Sequence, residues 1–320
     1  MVRSRAAPIA RKGRDLRAVF VDADDTLAAI TEKLRRDGDP PVTISLNRDV
    51  TPDELPALLG DAEIAIIDHT PLPTPIAAKC RRLGHIVFLG TGARSYMNPE
   101  ELAGHGITLH IIRGYGDTAV AECAIGLMWA SARDLATMDR AMRGGRWLGI
   151  EGVQLTGKTL GLVGFGGVAA EVARIALGSG MRVVAWNRSS RAYPGVEFLS
   201  LDEVLAKSDV ISLHLLLTDE TKGLLSRERI ATMKPGVILV NTARGALVDE
   251  EAMIEALRSG HIRHAGLDVF AVEPMPAGHV LTTLENVTLS AHSAFRTPEA
   301  SDNLIGAALD HCRRIAATGR

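Results

Sequence analysis

Short apolar runs alternate with segments of helical periodicity over most of the carboxyl-terminal half of the chain. Between Gly157 and His292 the apolar runs predict buried strands at 159–163, 181–186, 209–214, 236–241, 265–269 and 287–290. The segments between them predict helices at 168–178, 202–207, 226–233 and 249–259. This spacing is typical of right-handed β-α-β crossovers, so the pattern predicts a doubly wound parallel sheet.

The amino-terminal part shows the same alternation. Five apolar runs predict strands at 18–21, 42–46, 64–68, 85–89 and 107–111. Helices are predicted at 52–59, 75–83 and 99–103, each with a proline near its start, and further helices at 118–136 and 298–317. We assign the last helix to this smaller α/β part, which is then discontinuous in sequence.

Two local signals indicate where helices of the larger part begin and end. Ser200, followed by Glu203 three positions later, predicts a capping box in which each side chain satisfies a backbone N–H of the first turn. Gly260 follows the helical segment 249–259 and predicts its end, because glycine readily adopts the left-handed conformation found there.

A glycine-rich turn joins the first strand of the larger part to its first helix. Gly164 permits a tight turn, Gly166 lets the backbone approach a pyrophosphate, and Ala169 lets the helix pack closely on the strand. The amino terminus of that helix offers unpaired N–H groups and a positive dipole end to a phosphate. We therefore predict a dinucleotide site lined by Gly164, Phe165, Gly166, Gly167 and Val168.

The predicted architecture is α/β, with two doubly wound parallel-sheet domains and the active-site cleft between them. Residues 119–294 form the larger, a Rossmann dinucleotide-binding domain. Residues 17–118 and 295–320 form a flavodoxin-like substrate-binding domain. Residues 1–16 are predicted to be a flexible basic tail, with an organellar targeting peptide as the alternative.

The residues at the end of strand 181–186, the second strand of the larger part, indicate which dinucleotide binds. Sites that prefer NAD place an acidic residue there to bond the ribose hydroxyls, but this strand ends in Asn187, Arg188 and Ser189. Arg188 has the charge to pair with a 2′-phosphate, and the neighbouring polar groups have the hydrogen-bonding capacity. We therefore predict NADP(H) over NAD(H). The alternative is that Arg188 stacks on adenine or points to solvent.

Side chains that can do chemistry follow three strands at the same edge of the predicted sheet. Arg244 follows strand 236–241, Asp268 and Glu273 lie at and after strand 265–269, and His292 follows strand 287–290. Ligands of open α/β sheets bind at the carboxyl ends of strands, so we expect these groups to converge near the glycine turn. The alternative for each is structural: a solvated loop arginine, a packed histidine or a turn carboxylate.

These motifs resemble the D-isomer-specific 2-hydroxyacid dehydrogenase family. The resemblance rests on 241–249 (Asn-Thr-Ala-Arg-Gly-Ala-Leu-Val-Asp), on 266–270 with Glu273-Pro274, on His292, and on 114–122. It implies a catalytic set of Arg244, Glu273 and His292. His292 would exchange a proton with the substrate oxygen, Glu273 would orient its ring, and Arg244 would bind the substrate carboxylate.

The resemblance also implies binding residues. Further cofactor contacts are expected from Leu215, Thr218, Thr242, Ala243, Arg244, Asp268 and His292. For Asp268, predicted to hold the nicotinamide amide, capping of a nearby turn is an equal alternative. Substrate contacts are expected from Thr91, Gly92, Arg244 and His292. A homodimer through the larger domain is expected from the resemblance alone.

Three positions depart from the family pattern. Gly167 stands where the family often has an arginine that touches the pyrophosphate, so one anion contact is missing. Leu216 and Ala291 stand where prolines are common. None of these changes removes a reacting group.

The composition of the chain indicates which kinds of partner are not expected. The 320 residues carry a formal net charge of −2, which gives no reason to expect nucleic acid or an anionic membrane as a partner. The three cysteines are widely spaced and suit a reducing, cytoplasmic setting, and no metal site is predicted.

We therefore expect an oxidoreductase that transfers a hydride between NADP(H) and a small 2-keto or D-2-hydroxy acid, similar to a glyoxylate or hydroxypyruvate reductase. Two alternatives stay open. One is an NAD-dependent dehydrogenase working in the oxidative direction. The other is a nucleotide-sensing, corepressor-like binding protein, because such proteins resemble this chain in the catalytic set too.

Overall fold

The structure is a computed structural model that describes residues 16–318. Its internal contacts divide the chain into two units: one ends at Gly116 and resumes at Thr297, and the other runs from Asp117 to Arg296. The predicted basic tail lies outside the described residues except for Leu16, which packs against the core of the first unit. No helix within 16–318 is both long and apolar enough to cross a membrane.

Twelve strands and eleven α-helices lie within the described residues. The strands are β1 (Ala18–Phe20), β2 (Val42–Ile44), β3 (Ile64–Ile67), β4 (His85–Phe88), β5 (Thr108–Ile111), β6 (Thr159–Val163), β7 (Arg182–Trp186), β8 (Val196–Phe198), β9 (Val210–Leu213), β10 (Val237–Asn241), β11 (Ile262–Leu267) and β12 (Val287–Leu289). The helices are α1 (Asp25–Leu34), α2 (Leu55–Leu59), α3 (Thr74–Ala77), α4 (Pro99–Gly104), α5 (Asp117–Ala132), α6 (Leu135–Arg143), α7 (Gly167–Gly178), α8 (Leu201–Lys207), α9 (Arg227–Thr232), α10 (Glu250–Ser259) and α11 (Pro298–Thr318).

The first unit is a five-stranded parallel sheet in the order β2-β1-β3-β4-β5. Its central strands β1 and β3 are apolar and buried on both faces because helices cover both. On one face α2, α3 and α4 pack over β3 and β4. On the other, α1 and α11 bury leucine and isoleucine side chains against β1 and β3. The carboxyl-terminal helix therefore belongs to the core of the unit that contains the amino-terminal strands.

The second unit is a seven-stranded parallel sheet in the order β12-β11-β10-β9-β6-β7-β8. One face carries α5 and α7, whose alanines allow close approach to β6 and β10. The other face carries α8, α9 and α10. The strand order reverses at β6, which pairs with β7 on one side and β9 on the other. Such a switch point is where open α/β sheets bind ligands. Two parallel-sheet α/β units confirm the predicted fold class.

The helix ends agree with the local signals read from the sequence. Ser200 and Glu203 form both bonds of the capping box at α8. Gly260 ends α10 in the left-handed conformation, with φ of 76°. In each case the determining groups lie within four residues of one another, so the local sequence is sufficient to specify the geometry.

Several elements differ from the sequence expectation. The helix expected at 118–136 is two helices, α5 and α6, because Asp134 adopts a left-handed conformation with φ of 51°. Asp134 has a tertiary reason for this: its carboxylate bonds Arg263 and the buried His264. The short strand β8 and helix α1 were not predicted, although Asp24 caps α1. The helix expected at 75–83 covers only Thr74–Ala77.

An ion pair between Arg313 of α11 and Asp39 attaches the last helix to the loop after α1. The guanidinium donates to both carboxylate oxygens of Asp39 at 2.7 Å, and to the carbonyl of Leu34 at 3.2 Å. Only 9% of the Asp39 side chain is exposed. The hydrogen bonds from Arg313 hold the pKa of Asp39 below its usual value. Folding therefore gains from this carboxylate while it is ionised, and the gain is lost as the pH falls through its folded-state pKa.

We predict that Asp39→Asn lowers the free energy of unfolding at neutral pH by about 1–3 kcal/mol, because a paired, mostly buried charge loses its partner. Asp302→Asn is the matched control. Asp302 pairs with Lys33 across the same two helices, but its side chain is 40% exposed and that of Lys33 63%, so a loss below about 0.5 kcal/mol is expected. Urea denaturation followed by circular dichroism measures both. Equal losses in the two variants would contradict the prediction.

Candidate active site

The glycine turn lies between β6 and α7. Gly164 has a φ of 91°, and a methyl group built on it would lie 2.6 Å from the carbonyl oxygen of His214 and 2.7 Å from Cδ2 of Leu215. Only glycine fits this position, for reasons of both conformation and space. The backbone N–H of Phe165 donates to Oδ1 of Asn187 at 3.1 Å, which attaches the turn to the end of β7.

The space beside the turn suits a phosphate. A methyl group built on Gly166 would meet no atom within 4 Å, and Gly166 caps α7 without a side-chain hydrogen bond. The first N–H groups of α7 therefore have no capping partner in the described chain, and they lie at the positive end of a 12-residue helix. This is the environment that binds the pyrophosphate of a dinucleotide.

The polar residues after β7 divide into a structural pair and an exposed cation. Asn187 uses its Nδ2 to donate to the carbonyl and Oγ of Ser189, at 2.9 and 3.0 Å, so Asn187 shapes the loop. Arg188 is 84% exposed and donates from Nη1 to Oε2 of Glu220 at 2.8 Å. Glu220 belongs to the loop after β9. Sequence reasoning missed it, because nothing in the sequence places it beside Arg188.

The loop after β10 is rigidly organised by Asn241. Its Oδ1 accepts from the N–H of Ala243 at 3.0 Å, and its Nδ2 donates to the carbonyl of Arg244 at 2.9 Å. Asn241 is buried, which a polar residue at the end of an apolar strand could have signalled. Thr242, a predicted cofactor contact, is buried and its Oγ1 has no hydrogen-bond partner in the described chain. An unsatisfied buried hydroxyl at this position fits a missing ligand group.

His292 and Glu273 form a pair at the same edge of the sheet. Nδ1 of His292 lies 2.6 Å from Oε2 of Glu273, while Oε1 of Glu273 accepts from the N–H of Phe270 at 2.8 Å. Partial burial acts to raise the pKa of Glu273, but the bonds from His292 and Phe270 and the nearby charge of Arg244 outweigh it and lower that pKa. The carboxylate is therefore ionised and fixes one ring nitrogen of His292.

Arg244 belongs to the same group. It follows β10, the strand next to β11, and its charge helps to lower the pKa of Glu273. Among the described residues, one of its five N–H donors is used, by Nη1 to the carbonyl of Ala243 at 2.6 Å. Arg244, Glu273 and His292 thus follow three neighbouring strands of the second unit, and their joint catalytic role stays a prediction.

The carboxylate of Asp268 accepts hydrogen bonds from the loop that carries His292. Asp268 is fully buried, and its Oδ1 accepts from Oγ of Ser290 at 2.5 Å and from the N–H of Ser293 at 3.0 Å. Its Oδ2 accepts from the N–H of Ala294 at 3.0 Å. These bonds hold His292 in a left-handed conformation with φ of 47°, which is uncommon for a residue other than glycine. The predicted contact between Asp268 and a nicotinamide amide stays a prediction.

The remaining predicted residues are placed as follows. Leu215 is half-buried and covers Gly164, and Thr218 lies in an exposed turn closed by its N–H to Oγ1 of Thr221. Thr91 and Gly92 belong to the first unit, just after β4, and their role in substrate binding stays a prediction. Within residues 16–318, no group of three or more His, Cys, Asp or Glu side chains is arranged to hold a metal ion.

Comparisons with known proteins identify the family of the chain. Residues 125–294 match the family profile described as D-isomer specific 2-hydroxyacid dehydrogenase, NAD binding domain. A hydroxypyruvate reductase of Thermotoga maritima is 38% identical over 256 residues, covering 78% of this chain and 83% of that protein. A glycerate dehydrogenase of Methylorubrum extorquens is 33% identical over 277 residues, covering 83% and 87%.

A solved structure supports the same relationship over nearly the whole chain. The glyoxylate reductase from Paecilomyes thermophila has a TM-score of 0.86 at 28% identity, covering 96% of this chain and 97% of that chain. The resemblance found in the sequence is thereby confirmed. The chain belongs to the D-isomer-specific 2-hydroxyacid dehydrogenase family.

Proposed function

We propose that this protein reduces a small 2-keto acid, of the glyoxylate or hydroxypyruvate type, to a D-2-hydroxy acid with NADP(H) as the hydride donor. The observation that carries the proposal is the His292–Glu273 pair, with Arg244 beside it, at the sheet edge that also bears the phosphate-binding turn. The names of its relatives, a hydroxypyruvate reductase and a glyoxylate reductase, support this class of substrate.

The residues of the site suit the reaction. A nicotinamide cofactor, when bound, would supply the hydride for the carbonyl carbon, and negative charge would then develop on the carbonyl oxygen. Because Nδ1 of His292 faces Glu273, Nε2 is the nitrogen that gives a proton to this oxygen, and in the oxidative direction takes it back. The free donors of Arg244 bind the substrate carboxylate in a planar fork. Backbone N–H groups at Thr91 and Gly92 are the proposed additional substrate contacts.

The NADP(H) preference is supported by the loop after β7. No acidic residue follows Trp186 directly, so nothing at that position repels a 2′-phosphate. Arg188 pairs with Glu220, but both side chains are more than 70% exposed, and such pairs contribute less than about 1 kcal/mol. Replacing Glu220 by the 2′-phosphate as the partner of Arg188 therefore costs little free energy and forms a charge-assisted hydrogen bond.

A panel of keto acids tests the function directly. Glyoxylate, hydroxypyruvate, pyruvate and a bulkier 2-keto acid are each assayed with NADPH and NADH, and the product is resolved on a chiral column. We expect turnover of the small acids, a D product and a higher kcat/KM for NADPH. Dinucleotide binding without turnover of any acid would favour the sensor alternative, and a preference for NADH would refute the cofactor assignment.

We predict that Glu273→Gln lowers kcat by about 10- to 100-fold, because a neutral amide replaces the ionised carboxylate that holds Nδ1 of His292. The pKa of Glu273 is lowered, so wild-type activity should fall at acidic pH as this carboxylate takes up a proton. The variant should lack that acid limb of the pH–rate profile, while the Kd for NADPH stays within about twofold. Glu250→Gln is the matched control, since Glu250 pairs with His279 at 3.3 Å elsewhere in the same unit. An unchanged pH profile in the Glu273 variant would contradict the proposed role.

We predict that Arg188→Ala lowers kcat/KM for NADPH by about tenfold and leaves that for NADH nearly unchanged, because only NADPH carries the 2′-phosphate. Glu220→Gln should act in the opposite direction by freeing Arg188. Arg191→Ala, at an exposed cation of the same loop, is the control. Equal losses of kcat/KM for both cofactors would show that Arg188 does not bind the 2′-phosphate.

We also infer a homodimer through the second unit. Trp147 is 91% exposed, and Leu135 and Met142 of α6 are 50% exposed, so apolar surface is available in the α6 region for a second copy. Light scattering should then give twice the chain mass of 34.1 kDa.

A cytoplasmic location is also proposed. Cys80, Cys123 and Cys312 form no disulfide, as expected in a reducing compartment.

A further inference from the structure

The phosphate-binding end of α7 carries a carboxylate from another helix. Asp117 is the first residue of α5, and its side chain fills the position that any side chain on Gly167 would need. A methyl group built on Gly167 would overlap Oδ2 of Asp117 and lie 2.6 Å from its Cγ. Gly167 is the first residue of α7, so the carboxylate lies directly against the first turn of the helix.

No side chain of opposite charge among the described residues pairs with the Asp117 carboxylate. Within residues 16–318 no hydrogen bond or ion pair neutralises it, and its half-buried position together with the charge of Glu171 raises its pKa. Glu171 lies one turn further along α7, where Arg174 pairs with it at 3.0 Å. The first turn of α7 therefore has a carboxylate against Gly167, in the part of the helix that a pyrophosphate would approach.

The inference rests on the proposed nicotinamide dinucleotide. We propose that Asp117 is an affinity-limiting residue: its carboxylate opposes the pyrophosphate at the amino terminus of α7 and weakens the binding of NADPH and NADH alike. Two like charges a few ångströms apart in a water-like dielectric change an equilibrium by roughly tenfold. The effect is the same for both cofactors, because both contain the pyrophosphate and only one contains the 2′-phosphate. It also suits a reductase, in which the oxidised cofactor must leave after every turnover.

Equilibrium binding to the full-length protein tests this without any substrate. The Kd values for NADPH, NADH and adenosine 2′-monophosphate are measured by calorimetry for the wild type, Asp117→Asn and the control Glu171→Gln. We expect Asp117→Asn to lower the Kd of both dinucleotides by about tenfold with an unchanged ratio between them. The Kd of adenosine 2′-monophosphate, which has no pyrophosphate, should not change. Glu171→Gln should change each Kd by less than about twofold, because Arg174 already offsets its charge.

A second variant protects the test against a folding defect. Asp117→Ser also removes the charge, and thermal denaturation establishes that each variant is folded. An unchanged or higher Kd for both dinucleotides in either folded variant would overturn the inference. Binding of neither dinucleotide by the wild type would instead refute the proposed function. A change in the NADPH-to-NADH ratio would place Asp117 at the ribose rather than at the pyrophosphate, and would likewise overturn the inference.

Discussion

The buried carboxylate of Asp268 organises the sheet edge of the second unit that carries Glu273 and His292. The carboxylate accepts three hydrogen bonds, from the hydroxyl of Ser290 and from the N–H groups of Ser293 and Ala294. The backbone carbonyl of Asp268 accepts a fourth, from the N–H of His292 at 2.8 Å. A buried carboxylate without hydrogen bonds destabilises a fold. Displacement of the loop that carries His292 would remove these hydrogen bonds from Asp268. This constraint holds His292 in an unfavourable backbone conformation, from which its ring reaches Glu273.

The first unit uses the same device at the corresponding edge of its own sheet. Asp22 follows β1, is fully buried, and accepts from the N–H groups of Asp68, His69 and Thr70 as well as from the hydroxyl of Thr70. A bond to Asp68 and the charge of Asp22 raise the pKa of His69 to about 9 despite its partial burial. In both units a buried aspartate therefore fixes a loop that follows a neighbouring strand. The loops of this edge are held by side-chain hydrogen bonds although they lie outside the regular elements.

Charge at the cofactor site is balanced between elements that are distant in sequence. Arg188 after β7 lies against Glu220 after β9, and Asp117 of α5 lies against the first turn of α7. In our proposals the first pair lies at the ribose end of the dinucleotide and the second at its pyrophosphate. On that basis a change in the first would alter the choice between cofactors, and a change in the second would alter the affinity for both.

The sequence by itself determined the parallel α/β class and the glycine turn, and it placed Arg244, Glu273 and His292 after neighbouring strands as a proposed catalytic set. These depend on local periodicity and on the rule that strand ends share one edge of a sheet. It did not determine the break at Asp134, the Glu220 partner of Arg188, or the carboxylate of Asp117 against Gly167. Each of these is a contact between segments 32 to 130 residues apart. Only the tertiary structure decided them, because a side chain's partner depends on how strands and helices pack, and local sequence carries no record of that packing.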